Sequence, residues 1–239
     1  MVQTFLRSKY KVLPEELLET INTMQENMTI MLYGRTNSGK SFTARELLTF
    51  INQTPSNLKI IEFYNDKEYV LLDKMDVLPS DILRYIQNAK RKTIKTECNQ
   101  TSSRSHLIIK LDYVCLIDLM GSETPHDKDG ILNNKSLFDL SQLMRQASRD
   151  NLTSFRGCKF SMIIKECLLN SRMIIIGCID ETDKIETNRT LQFLKSCESI
   201  IVNPLTRKIE EEGVLSPEAL LRLEFLDSLL EKLMRIKNK

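Results

Sequence analysis

The chain has 239 residues, 28% of them charged, and a formal net charge of +2, which suits one large soluble domain or a domain with an appendage. So small a net charge gives no reason to expect a nucleic-acid partner, and the longest apolar runs are of strand length, too short to span a membrane. The six cysteines are scattered singly and the N terminus lacks a signal peptide's apolar core, so we expect neither zinc nor disulfides and place the protein in a reducing, intracellular compartment.

Hydrophobic periodicity and turn residues predict helices and strands that alternate along most of the chain. In chain order they are a helix at 14–27, a strand at 29–33, a helix at 42–51, strands at 58–64 and 69–72, a helix at 79–92, two strands within 106–119, helices at 131–148 and 159–169, a strand at 173–179 and a helix at 186–200. This order predicts an α/β fold in three α/β/α layers around a central mixed, mostly parallel sheet.

The alternating pattern ends at an Asn-Pro pair, so the compact domain is expected to cover residues 1–204. Residues 205–215 have mixed charge and predict a linker. A helix is predicted at 216–239, because a Ser-Pro-Glu sequence is a good helix start. Its leucines recur at steps of three and four residues over barely two heptads, so packing onto the domain and self- or hetero-association are both open.

Residues 34–41 read GRTNSGKS, a full match to the phosphate-binding pattern G-x-x-x-x-G-K-[ST] between a predicted strand and a predicted helix. Glycines in this pattern let successive backbone N–H groups point at a polyphosphate, and the helix dipole favours the same anion. Lys40 would reach the outer phosphates and Ser41 would ligate Mg²⁺. The residues assigned to nucleotide binding are Gly34, Arg35, Thr36, Asn37, Ser38, Gly39, Lys40, Ser41 and Phe42.

Two later segments fit a switch that senses phosphate. Residues 99–106, NQTSSRSH, place hydroxyl groups around an arginine just before a strand, and residues 118–123, DLMGSE, follow the next strand. An aspartate at a strand's carboxyl end beside a phosphate loop suits binding of Mg²⁺ through water. A glycine three residues later can bring its backbone N–H against a γ-phosphate. Their order after a complete phosphate loop favours a P-loop NTPase-type fold.

With these three motifs the chain resembles a kinesin motor domain. The family's phosphate loop is commonly GQTGSGKT, its first switch N-x-x-S-S-R-S-H matches 99–106 at every fixed position, and its second switch DLAGSE differs at Met120 alone. Further matches are NNKSL at 133–137, FRGCK at 155–159 against the family's Y-R-x-S-K, and NSR at 170–172. The likeness extends from about residue 5 to residue 204.

The resemblance implies a Mg²⁺-dependent ATPase whose substrate is ATP. The catalytic residues that it implies are Ser102, Ser103, Arg104, Gly121 and Glu123. Ser102 would orient the attacking water, and Arg104 and Glu123 would form a salt bridge that joins the two switches. The metal would be held by Ser41, by Ser103 and, through water, by Asp118.

The resemblance also implies microtubules as the partner, and a place in the cytoplasm on the microtubule cytoskeleton, the spindle included. The retained basic candidates for this interaction are Lys135, Arg156, Lys159 and Arg172. The phosphate loop begins much earlier than in the family, and no Arg-x-Arg-Pro segment of the kind that contacts adenine is found. We therefore expect the family's first strand to be absent, which leaves adenine recognition unassigned.

Two other functions remain open. A reduced, non-motile adaptor would bind microtubules or a partner kinesin with nucleotide as a structural ligand, and the short stretches around the switches favour it. A GTPase would share the phosphate loop and the D-x-x-G segment, but an N-K-x-D guanine-binding sequence is missing from a suitable place. The intact switch residues favour the ATP-hydrolysing motor.

Overall fold

The computed structural model describes residues 2–9, 11–23, 27–51, 54–89, 105–123, 128–149, 151–152 and 154–201, with the side chains of 128–134 excepted. Its elements in chain order are β1 (Gln3–Ser8), α1 (Glu15–Thr23), β2 (Met28–Tyr33), α2 (Lys40–Ile51), β3 (Ser56–Tyr64), β4 (Lys67–Val77), α3 (Pro79–Asn88), β5 (His106–Lys110), β6 (Val114–Asp118), α4 (Lys128–Ala147), α5 (Lys159–Asn170), β7 (Arg172–Ile179) and α6 (Lys184–Glu198).

All seven strands form one sheet in the order β1-β7-β2-β6-β5-β3-β4. The first four strands of this order pair in parallel, while β5, β3 and β4 join by antiparallel pairings. Parallel strands need crossover connections, and the helices between them supply these connections. The predicted mixed α/β sheet is therefore confirmed.

Helices cover both faces of the sheet, and the alternation of side chains along β2 shows how the two cores are divided. Met31 packs in a core with residues of α4, α5 and α6, whereas Ile30 and Leu32 pack in a second core with residues of α1, α2 and α3. A parallel strand covered on both faces has to be apolar throughout, which explains the continuous buried run of β2. These two cores confirm the predicted three layers.

The expectation that the first strand is absent is wrong. Gln3–Ser8 forms β1 at the edge of the sheet, in parallel register with β7 from Gln3↔Ile174 to Ser8↔Ile179. An edge strand has one neighbour and is half-exposed, so β1 does not need the apolar run that would reveal it in the sequence. Its buried Arg7 adds a positive charge beside α2.

Smaller differences concern element ends. β3 begins at Ser56, two residues before the predicted start of that strand, and β4 covers Lys67–Val77 where the sequence predicted a strand at 69–72. β4 is the other edge strand, and its mostly exposed polar residues conceal its length. The predicted linker at 205–215, the helix at 216–239 and the motif residues 99–104 lie outside the described residues. Among the described helices, none combines the length and apolar composition needed to cross a bilayer.

Candidate nucleotide site

The phosphate loop and the 118–123 segment meet at the carboxyl edge of the parallel strands. They follow β2 and β6, which are neighbours in a register that pairs Leu32 with Asp118. Beyond the strands, the backbone N–H of Ser122 donates to the carbonyl of Gly34 at 3.2 Å. The sheet thus brings together two motifs that lie far apart in the sequence.

The phosphate loop is seated against β7 by a close approach at Gly34. This residue has φ +145°, and a Cβ atom there would lie 2.2 Å from the carbonyl oxygen of Cys178. Asn37, which stands where the family commonly has glycine, adopts φ +62°. Asparagine is one of the few non-glycine residues that tolerate this left-handed region, so the substitution keeps the loop's conformation.

Lys40 lies buried inside the loop. Its ammonium donates to the carbonyl oxygens of Gly34 and Arg35, both at 2.7 Å. Burial lowers the pKa of Lys40 and the nearby carboxylate of Asp118 opposes this shift. A polyphosphate would offer the same ammonium stronger, charged acceptors.

The hydroxyl of Ser41 donates to Oδ2 of Asp118 at 2.7 Å, across the junction between the two motifs. Hydroxyl and carboxylate oxygens are the hard ligands that Mg²⁺ prefers. The hydroxyl of Ser38 is also buried and finds no hydrogen-bond partner among the described residues, as expected of a loop built for an anion. This donor set fits Mg²⁺ with a phosphate.

Glu123 contacts the phosphate loop directly. Its carboxylate accepts the backbone N–H of Thr36 at 2.8 Å and also accepts the hydroxyl of Thr36. Burial alone would raise the pKa of Glu123, but these hydrogen bonds outweigh it and hold the pKa below its ordinary value. A Cβ atom at Gly121 would fall 2.2 Å from the Thr36 hydroxyl, so the second switch and the loop are in tight contact. Ser102, Ser103 and Arg104 lie outside the described residues.

His106 connects three of the motifs, a role that the sequence analysis missed. Its Nδ1 accepts the backbone N–H of Met120 at 3.3 Å, so in the neutral ring Nε2 carries the proton and donates to the hydroxyl of Ser136 at 2.7 Å. The ring also stacks on Phe160, with centroids 3.9 Å apart. The motif N-x-x-S-S-R-S-H includes this histidine, but its partners depend on the fold.

The neutral state of His106 predicts a pH dependence of stability. Burial, with a smaller contribution from the charge of Lys40, lowers its pKa from 6.5 to about 3. Between these values the unfolded chain binds more protons, so stability present above pH 6.5 is lost as the pH falls. Lowering the pH from 7 to 5 should therefore reduce the free energy of unfolding by about 2 kcal/mol through His106. Urea denaturation at both pH values should show a smaller loss for His106→Gln, and an equal loss would contradict the assignment.

Two ion pairs near the loop also escaped the sequence analysis. Arg7 donates to the hydroxyl of Thr43 at 2.7 Å and pairs with Glu46, while its guanidinium lies 5.4 Å from the centroid of the Phe42 ring. Phe42 remains 44% exposed beside the loop. Arg35 pairs with Asp183, the N-cap residue of α6.

The four basic candidates for partner binding do not lie together. Lys135 on α4 and Lys159 at the start of α5 are neighbours, because Asp139 of α4 accepts the backbone N–H of Cys158 at 2.8 Å. Arg156 is exposed in the segment just before α5. Arg172 instead begins β7, in register with Met28, at the amino ends of the parallel strands. The phosphate loop lies at their carboxyl ends. Lys159 already pairs with Glu68 at 2.6 Å.

The family model of the kinesin motor domain matches residues 52–200 of the 239. The chain belongs to the kinesin motor-domain family. The rice (Oryza sativa subsp. japonica) kinesin-like protein KIN-13A is 26% identical over 271 residues, covering 80% of this chain and 33% of the relative. The chain thus spans about a third of this relative's length.

Two solved kinesin structures share the fold. A fast kinesin superimposes with a TM-score of 0.63 at 21% identity, covering 80% of this chain and 75% of its own. The KIF14 dimer, solved with AMP-PNP in complex with a microtubule, superimposes with a TM-score of 0.61 at 21% identity, covering 80% of this chain and 76% of its own. The resemblance to kinesins drawn from the motifs is therefore confirmed, as is the α/β fold of the kinesin motor.

Proposed function

We propose that this kinesin-family chain is a Mg²⁺-dependent ATPase that couples sensing of the γ-phosphate to its affinity for microtubules. The observation that carries the proposal is the meeting of Lys40, the Ser41–Asp118 pair and the Glu123–Thr36 contact at one edge of the sheet. Each is a group that a nucleoside triphosphate with its metal would engage. KIF14, a structural neighbour, was solved with an ATP analogue.

Different residues of this chain would bind the phosphates, the metal and the attacking water. Lys40 would leave two backbone carbonyls to neutralise the outer phosphates, and Ser41 with Asp118 would hold Mg²⁺, which when bound offsets the negative charge of the phosphates. Gly121 has no side chain to obstruct its backbone N–H from the terminal phosphate. By the family resemblance Ser102 would orient the attacking water and Ser103 would complete the metal site.

Glu123 would change partner during the cycle. In this structure it is held by Thr36 of the phosphate loop. By the family resemblance it pairs with Arg104 when the switches close, a bidentate and strong interaction when partly shielded from water. One carboxylate shared between these two partners would report whether the loop holds a terminal phosphate.

Adenine would lie near Phe42. The Phe42 ring is exposed beside the loop, and the Arg7 guanidinium lies 5.4 Å from its centroid. A base could therefore stack on an aromatic surface next to a positive charge. The presence of β1 supports this proposal, because it is β1 that supplies Arg7.

Steady-state ATP hydrolysis with and without microtubules tests the proposal. We expect measurable Mg²⁺-dependent hydrolysis that microtubules accelerate, and binding that weakens with salt, because an acidic partner is attracted electrostatically. Binding without acceleration would instead support the non-motile adaptor. Failure to bind adenine nucleotides with magnesium would overturn both.

Basic residues on α4 and before α5 form the proposed partner surface. Lys135→Ala combined with Arg156→Ala should weaken microtubule affinity about tenfold, or 1.4 kcal/mol, while hydrolysis without microtubules stays unchanged. Arg172→Ala is the matched control, because Arg172 lies apart from the other basic candidates, at the amino ends of the parallel strands. Cosedimentation over a microtubule titration measures the affinity of the unsubstituted chain, of the double variant and of Arg172→Ala. Equal weakening by Arg172→Ala would show that the surface is misplaced.

A further inference from the structure

A cavity of about 200 Å³ opens at the amino ends of the parallel strands, whereas the phosphate loop lies at their carboxyl ends. Two cysteines from different elements line it, Cys115 of β6 and Cys167 of α5, and both are partly exposed. The function proposed above uses neither of them.

Backbone register and a chain of hydroxyl groups bring the two thiols to one place. Thr29 of β2 stands beside Cys115 in the parallel register. The Thr29 hydroxyl lies 2.7 Å from that of Ser171, which donates to the carbonyl of Cys167 at 2.7 Å. The end of α5 is thereby held close to β6, and both cysteines line the same cavity.

The pair distributes acidity unequally. Interaction with Cys115 lowers the pKa of Cys167, and Thr29 and the positive charge of Lys110 assist this shift. Burial and the negative charge of Glu166 oppose it. The same interaction, together with burial, raises the pKa of Cys115. Burial raises the pKa of the other described cysteines, Cys158, Cys178 and Cys197. Cys167 is thus the described cysteine best suited to react as a thiolate.

We propose that Cys167, supported by Cys115, is a site of thiol–disulfide exchange that takes low-molecular-weight disulfides of the glutathione class. The Cys167 thiolate attacks one sulfur of RS–SR, the Cys167–S–SR bond forms as RS–SR breaks, and the leaving RS⁻ takes the proton that Cys167 released. Cys167 is oxidised and one RS group is reduced to RSH. Cys115 acts as the positioning residue, because its S–H stabilises the attacking thiolate.

The cavity suits such a reagent. The lining residues Asn27, Asn170 and Lys110 have amide and ammonium groups that can bind the peptide bonds and carboxylates of a glutathione moiety. Asp112 and Glu166 also line the cavity, and their carboxylates can bind the ammonium group of the same moiety. The site is distant from the nucleotide edge, so the proposal does not depend on ATP hydrolysis.

The test exposes the full chain to oxidised glutathione and locates adducts by peptide mass spectrometry without reduction. We expect Cys167 to be modified at least about tenfold faster than Cys158 or Cys197. An internal Cys115–Cys167 disulfide would also support exchange at this site, because it forms when one thiol of the pair displaces glutathione from the other. Equal rates at Cys167 and the two buried cysteines would overturn it.

Two variants of Cys115 separate activation from mere accessibility. Cys115→Val removes the hydrogen-bond donor and should slow modification of Cys167 at least about threefold, with the midpoint of its alkylation against pH moved upward. Cys115→Ser keeps a donor and should stay near the original chain in both readouts. Circular dichroism checks that each variant is folded. Cys115→Val with unchanged rate and midpoint would remove Cys115 from the site.

Discussion

Replacing Glu123 with alanine is expected to lower the rate of ATP hydrolysis at least about 100-fold, the scale of one lost preorganised contact, while Mg·ATP affinity changes little. The carboxylate touches Thr36 of the phosphate loop in this structure and, by the family resemblance, latches Arg104 when the switches close. Its loss would leave Lys40 and Ser41 in place for binding but remove the group proposed to couple the loop to the switch. Single-turnover hydrolysis and nucleotide binding measure the two effects separately.

Two controls accompany the Glu123 experiment. Glu19→Ala removes an exposed carboxylate on α1, away from the site, and should leave hydrolysis unchanged. Thr36→Val removes one of the two donors seen here but leaves the proposed Arg104 latch, so its effect should be much smaller than that of Glu123→Ala. Near-normal turnover in Glu123→Ala would show that hydrolysis does not need the proposed salt bridge between Glu123 and Arg104.

Replacing Gly34 with alanine is expected to lower the free energy of unfolding by at least about 3 kcal/mol, the sum of backbone strain and a steric clash. A side chain at φ +145° is strained, and its Cβ would lie 2.2 Å from the backbone carbonyl of Cys178. That oxygen belongs to β7, which lies between β1 and β2, and Cys178 is in register with Arg7 of β1, so the oxygen cannot move without disturbing this pairing. Chemical denaturation measures the loss.

Gly39→Ala is the matched variant for this prediction. Gly39 also has a positive φ of 97°, but a Cβ there would meet nothing closer than 3.7 Å, so strain acts without a clash. We expect a loss of about 1–3 kcal/mol for this variant. A Gly39→Ala chain as unstable as Gly34→Ala would show that the contact with β7 contributes nothing.

Most of the fold was predictable because its interior strands can be recognised in the sequence as continuous apolar runs. The runs at Met28–Tyr33 and Arg172–Ile179 are buried on both faces, so they must be apolar almost throughout. Edge strands have no such requirement, which is why β1 was missed and β4 was predicted too short. A half-exposed strand with polar residues resembles a loop until its neighbour is known.

The phosphate-loop motif could be recognised in the sequence for a related reason. The chemistry proposed for it would be carried by consecutive backbone N–H groups together with Lys40 and Ser41, so one octapeptide contains it. The structure places the Ser41 hydroxyl against the carboxylate of Asp118. The sequence could not show that Arg172 lies apart from the other basic candidates, because the order of residues carries no information on which end of the strands each one occupies.

By itself the sequence determined the kinesin family, the alternating α/β order and the positions of the nucleotide motifs, since each depends on local spacing and on which residues can adopt a conformation. The tertiary structure alone decided the partners: Thr36 with Glu123, Arg35 with Asp183, His106 with Ser136 and Cys115 with Cys167. Such pairs join segments brought together by strand register and helix packing. No local pattern encodes them, because either residue alone is an ordinary side chain.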